Sequence, residues 1–347
     1  MPLRILLLLA GVALTGALSL AAPGNAEAQG NLVLICGNVE DWCREMVTAF
    51  EKRTGIKVAM TRKSSGEIYA QLKAEAANPK NDIWWGGTGD PHLQAAGEGL
   101  TQEAKPADPS QLHPWALRQW KDGKERTIGV FAGAMGFGFN TKLLAEKKLP
   151  EPKCWADLAD PKYKDEVQVA DPNSAGTAYN FLATVVQIMG EDKAFEYLKK
   201  LHKNVNQYTK SGAAPAKALS LGETAVGINF QHDLVPFVVQ GAPMKVVSPC
   251  EGTGYEVGSM SIVKGAKNPR EAKAWYDWAL TAEAQEIGPR TKTSFQVPAN
   301  KNAKPLAEAP DFSKIKFIDY DFAKYGSSEV RKRLLTRWDT EVKNQPK

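Results

Sequence analysis

Residues 31–72 read NLVLICGNVEDWCREMVTAFEKRTGIKVAMTRKSSGEIYAQL. Leu32–Cys36 is a short apolar run closed by Gly37-Asn38, which predicts a buried strand. Val39–Thr54 has the spacing of an amphipathic helix ended by Gly55. The alternation continues with a strand at Ile56–Thr61, a helix at Ser65–Ala77 stopped by Asn78-Pro79, and a strand at Asp82–Trp85. A helix at Pro91–Gly99 follows, with Pro at its start and Gly at its end. Strands joined by helices need parallel crossovers, so the fold class is α/β with an open sheet. Ligands of such sheets bind beyond the carboxyl ends of the strands. Those ends are Cys36-Gly37-Asn38, Arg62-Lys63-Ser64-Ser65-Gly66 and Gly86-Gly87-Thr88-Gly89-Asp90, short polar loops rich in glycine.

Two later stretches are thick with glycine, IGVFAGAMGFGFN at 128–140 and GTGYEVGSMSIV at 252–263. They predict extended segments crossing between two lobes. Between them lies a second α/β block, with helices at Trp155–Leu158, Thr177–Met189, Lys193–Leu201 and Ala214–Leu221. Its strands are expected at Val167–Ala170, Ala225–Asn229 and Met244–Val247. Helices follow at Pro269–Leu280, Ala282–Gly288 and Ser328–Trp338. The expected organisation is one discontinuous lobe, residues 31–132 plus 258–347, and one inserted lobe, residues 137–254.

The 347 residues are 43% hydrophobic and 24% charged, which excludes disorder, collagen and coiled coil. A net charge of +5 is too small and scattered for a nucleic-acid protein, but it helps to draw in a small anion. The tightest basic cluster, Arg331-Lys332-Arg333, reads as a solvated helix face. Residues 1–28 hold Arg4, an uncharged run Ile5–Ala22 and the ending Ala26-Glu27-Ala28, the pattern of a secretory signal cut before Gln29. A retained membrane anchor is the competing reading. Export to an oxidising compartment makes disulfides the default for Cys36, Cys43, Cys154 and Cys250. Four cysteines allow three pairings; the local pair Cys36–Cys43 is favoured, leaving Cys154 with Cys250. Zinc is the alternative, but the close C-x-x-C pairs such sites prefer are missing.

Several phrases, in their order, carry a family resemblance: FEKRTGIKV (50–58), RKSSGEIYAQL (62–72), NDIWWGGTGD (81–90), NTKLL (140–144), CWADLADPKYKDEV (154–167), DPNSAGTAYNFL (171–182) and GSMSIVKGAKNPREAKAWYDW (258–278). The chain resembles periplasmic solute-binding proteins of ABC importers, of the ferric-iron-binding-like group. That resemblance implies two α/β lobes joined by crossing hinge strands, a ligand in the cleft between them, and a membrane permease as partner.

Three helix starts suit an anion in that cleft. Ser64-Ser65-Gly66, Ser174 to Thr177 with Gly176 between them, and Ser211-Gly212-Ala213 offer hydroxyls, backbone N–H groups and the positive end of a helix dipole. Thr88, in the third strand-end loop, joins this set, although each feature alone also suits simple N-capping. Ferric-binding members carry adjacent tyrosines after a strand like Ala225–Asn229, whereas here the chain runs Phe230-Gln231-His232-Asp233. His232-Asp233 resembles the hexose-phosphate-binding branch, in which a His-Asp pair and a downstream Glu take the sugar hydroxyls. Glu256 is the match for that Glu, with Glu251 the second candidate. The readings in competition are a structural His-Asp pair, iron held by His232, Asp233 and Glu256, and a secreted phosphate-ester hydrolase. No G-x-S-x-G, H-E-x-x-H or P-loop occurs, so no enzyme is expected. The sequence implies no cofactor, no resident metal and no nucleic-acid partner, and a monomer is expected.

Overall fold

In the computed structural model, which describes residues 30–347, strand β1 (Asn31–Cys36) lies between β2 (Lys57–Arg62) and β3 (Ile83–Trp85), parallel to both. The leader assigned to residues 1–28 falls outside the described residues. Helix α1 (Glu40–Thr54) makes the first crossover. It buries Trp42, Cys43, Met46 and Phe50, one helical face against the sheet, and ends at Gly55 in the left-handed conformation with φ 74°. Helices α2 (Ser65–Ala74), α3 (Gly89–Gly97) and α4 (Pro114–Asp122) complete this part of the first lobe. The start of α4 at Pro114 follows the helix-entry rule, although the sequence reading left the segment unassigned.

Strand β4 (Ile128–Asn140) is buried throughout and belongs to both lobes. The interlobe crossing comprises this strand and β9 (Tyr255–Ile262), and the intervening chain builds the inserted lobe. That lobe runs α5 (Thr141–Lys147), β5 (Val167–Ala170), α6 (Gly176–Met189), α7 (Glu191–His202), β6 (Val205–Thr209), α8 (Ala214–Leu221), β7 (Val226–Phe230), α9 (Gln231–Val239) and β8 (Met244–Val247). Ile128–Ala134 of β4 pairs antiparallel with β9, whereas Met135–Asn140 pairs with β7 and β8. The sheet order β2-β1-β3-β9-β4-β7-β5-β6 therefore passes from one lobe into the other through a single strand. Strand β6 escaped the sequence reading because only its ends, Val205 and Thr209, are buried and it carries no apolar run.

After β9 the chain forms α10 (Pro269–Ala279), the short α11 (Ala282–Gln285) and α12 (Ile287–Thr291), and β10 (Val297–Pro298) against β4. It ends with α13 (Phe322–Tyr325) and α14 (Ser328–Trp338). Here the expected lobe boundary is corrected. The last part of 258–347 packs on the inserted lobe: Tyr320, Phe322, Leu334, Trp338 and Val342 share a core with Phe181, Phe195 and Leu198. Arg333 and Arg337 pair with Glu191 at 2.8 and 2.9 Å. The basic cluster is also not uniformly solvated, because Arg331 is 2% exposed with its guanidinium 3.9 Å from the Tyr179 ring centre. The cysteines form the pairs Cys36–Cys43 and Cys154–Cys250, the second closing a separation of 96 residues within the inserted lobe.

Candidate functional site

The carboxyl ends of β1, β2 and β3 and three loops of the inserted lobe face one cavity between the lobes. Six helix starts line it: Val39 of α1, Ser64 and Ser65 of α2, Thr88 of α3, Ala175 to Thr177 of α6, Gly212 and Ala213 of α8, and His232 and Asp233 of α9. The leading N–H groups of a helix have no partner within it, and the dipole adds positive potential there. Six such ends around one space are an arrangement suited to an anion, with no stack of cations needed. Arg62, at the end of β2, supplies the one cationic side chain in this lining.

Local contacts fix the cradle. Asn38 Oδ1 accepts from the Gly87 N–H at 3.0 Å, and Ser65 Oγ accepts from the Thr88 N–H at 3.1 Å, locking the three strand-end loops together. The Ser64 N–H donates to Glu67 Oε2 at 3.3 Å, so Ser64 is an N-cap as well as a cavity residue. Thr88 Oγ1, Asn38 Nδ2 and His232 Nδ1 are buried without a hydrogen-bond partner. Buried polar groups in folded proteins are rarely left so, and these three stand in the residues that line the cavity.

The other end of the cavity is built from α9 and β9. The His232 ring stacks on Phe230 at 5.2 Å, and its Nε2 lies 3.4 Å from Glu256 Oε1 and 3.8 Å from Asp233 Oδ1. Glu256 stands opposite Gly133 in the β4–β9 register, and a side chain at Gly133 would strike the imidazole. Burial lowers the His232 pKa to about 3, keeping the ring neutral. Burial raises Asp233 to about 7, against the pull of Arg62 and an Asn229 hydrogen bond. Burial also pushes Glu256 well up, helped by the charges of Asp233 and Asp90. A neutral imidazole and two carboxyls crowded in a dry wall seek hydroxyl partners, which can accept from and donate to them.

Across the cavity the lobes touch. The Gly66 N–H donates to Ser174 O at 3.1 Å, and Lys210 pairs with Glu67 at 2.8 Å. Gly66 has no room for a side chain, since a Cβ would sit 2.5 Å from Asn173 O; Gly176 lies tighter still against Thr88. The lobes therefore meet across the cavity in this structure.

Of the residues singled out by sequence, Ser64, Ser65, Thr88, Gly176, Thr177, His232, Asp233 and Glu256 line this cavity. Ser174 and Ser211 do not. The Ser174 hydroxyl donates to Lys210 O at 2.9 Å and its carbonyl serves the interlobe contact, so the residue works on closure rather than in the cavity wall. Ser211 lies in an adjoining chamber. Glu251 is engaged elsewhere, accepting from the Trp155 and Ala156 N–H groups at 2.9 Å. The sequence reading placed Asn38 and Arg62 in the ligand-facing strand-end loops without singling them out, and it missed Phe131, Phe230 and Gln296 as lining residues. Arg62 carried a signal, being a cation at a strand end just ahead of Ser64-Ser65.

Residues 78–325 match the family model described as bacterial extracellular solute-binding protein, and the chain belongs to that family. It is a periplasmic binding protein of the ferric-binding-like class, a small-molecule-binding component of an ABC importer and not an enzyme. An uncharacterized protein of Haemophilus influenzae is 44% identical over 328 residues, 94% of this chain and 95% of that protein. The solved periplasmic binding protein AfuA from Actinobacillus pleuropneumoniae, with fructose-6-phosphate bound, is 42% identical with a TM-score of 0.87, covering 92% of this chain and 100% of its own. A Fe(3+)-binding periplasmic protein of Serratia marcescens is 24% identical over 91% of both chains.

Proposed function

We propose that this protein captures a phosphorylated sugar in the interlobe cavity, closes on it as a monomer and delivers it to a membrane permease. The observation that carries the reading is the division of one cavity into two chemistries. Converging helix starts with Ser65, Thr88 and Thr177 suit a phosphate, and the His232–Asp233–Glu256 wall suits hydroxyls. Ligand-bound AfuA, alike over nearly the whole chain, supports the same class of ligand. A phenolate pair, a hard ligand set for ferric iron, does not follow β7, where the chain runs Gln231-His232-Asp233.

Closure follows from differential contact. The cradle's donors come from both lobes, so an anion engages the full set only when they meet, and that difference shifts the population toward the closed form. Native mass spectrometry of freshly purified protein should show an adduct with the mass of a monosaccharide phosphate, lost on mild unfolding. An adduct of ferric iron, or of inorganic phosphate alone, would contradict the reading.

A further inference from the structure

The ligand cavity does not end at the hydroxyl-binding wall. It continues past Val39, Ala213, His232, Asp233 and Gln296 into a second, larger chamber. Two lysines line that chamber from opposite lobes: Lys217 on α8 and Lys292 directly after α12. Both are exposed, and neither forms an ion pair with a carboxylate among the described residues. Ser211 and Thr293 add hydroxyls. The chamber's acidic residues are Asp41, in the first turn of α1, and Asp233, whose carboxyl feels Arg62. The sequence marked Ser211 as an anion contact, and it lies here rather than in the inner cradle.

We propose that this chamber takes a second phosphoryl group, so that the protein prefers a sugar bisphosphate over the monophosphate. The proposal rests on the sugar-phosphate reading of the inner cavity. The chamber joins that cavity along Val39, Ala213, His232, Asp233 and Gln296, and none of Ser65, Thr88 and Thr177, the residues given to the first phosphate, lines it. The second group would therefore be carried on the sugar carbon remote from the first phosphate. Two lysines lining one chamber from opposite lobes, with hydroxyl-bearing residues in the same lining, suit a phosphoryl dianion. A ligand bridging both chambers would also hold the lobes together through Lys217 and Lys292.

The test is calorimetry at one ionic strength with fructose 6-phosphate and fructose 1,6-bisphosphate, on wild type and on the Lys217→Met/Lys292→Met double variant. The bisphosphate should bind wild type at least about tenfold tighter, consistent with two added charge-assisted contacts of modest strength. The double variant should lose that advantage and hold the monophosphate within about twofold of wild type. A bisphosphate no tighter than the monophosphate overturns the proposal. So does a double variant that weakens both ligands alike, since that reports general attraction of anions. Binding of neither sugar by wild type overturns the proposal together with the reading beneath it, whereas monophosphate binding without a bisphosphate gain overturns the chamber alone.

Discussion

Gly176→Ala should weaken sugar-phosphate binding by about 100-fold or more while leaving the thermal stability of the ligand-free protein nearly unchanged. The three nearest heavy atoms to a Cβ at position 176 all belong to Thr88, which stands on the opposite lobe. The clash therefore exists in the closed form and vanishes when the lobes part. In the open form the change places alanine at a helix start, where it has good intrinsic propensity. Excluding the closed form removes every contact that depends on both lobes, and a 100-fold loss corresponds to about 2.7 kcal/mol. Calorimetry gives the affinity. Small-angle scattering gives the shape, which should contract with ligand in wild type and not in the variant. A variant that still contracts and binds normally would show that Thr88 and Gly176 do not gate closure.

Asp233→Asn should separate the two ends of the site. Loss of a buried, charge-assisted acceptor is worth about 1.5–3 kcal/mol, so sugar-phosphate affinity should fall by about ten- to a hundredfold, and inorganic phosphate should lose less than about threefold. The same change should stabilise the empty closed form in a pH-dependent way. Asp233 has its pKa raised to about 7 by burial, above its ordinary 3.8. The wild-type contribution is therefore fully present below about pH 4 and is lost as pH rises through 7. Asparagine does not titrate and escapes that loss. Without ligand, the variant should therefore populate the contracted, closed shape more than wild type at pH 8, as read by small-angle scattering, with the gap closing toward pH 4. His232, held neutral with a pKa of about 3, acts in the opposite sense, withdrawing stability as pH falls below about 6.5, but equally in both proteins. Equal loss of both ligands, or a gap independent of pH, would refute the role given to Asp233. The buried carboxyls thus disfavour an empty closed cavity, and sugar hydroxyls relieve that cost.

The alternation of strand and helix from Asn31 onward was enough to read the parallel strands β1 to β3, because the crossover helix α1 buries one regular face. Both crossings were legible in their glycine, and β4 coincides with the predicted stretch Ile128–Asn140. Strand β6 and helix α9 were not. The first is largely exposed, and the second places His232 and Asp233 in a helical first turn behind Phe230 and carries Pro236 in its interior. The tail was misplaced because the amphipathic pattern of α14 says that one face is buried but not against which lobe.

Within the site, a run such as Asn173-Ser174-Ala175-Gly176-Thr177 announces a polar helix start without saying which member faces the cleft. Asp171 accepts from the Asn173 N–H at 2.9 Å, and the Ser174 side chain bonds within its own lobe, leaving Gly176 and Thr177 at the cavity. The choice of Glu256 over Glu251 depended on a likeness to the family. Its structural basis, the pairing of Glu256 with Gly133 across β4 and β9, is a long-range register that local pattern does not carry. The number of helix ends was underestimated for the same reason: the starts of α1, α3 and α9 reach the cavity through tertiary placement.

The measurement closest to the heart of this account is wild-type calorimetry with three ligands: fructose 6-phosphate, fructose and inorganic phosphate. Tight binding of the first, with each fragment weaker by at least about two orders of magnitude, is the outcome a two-ended cavity predicts. Phosphate alone binding as tightly as the sugar phosphate would leave the His232–Asp233–Glu256 wall without a ligand role and contradict the account.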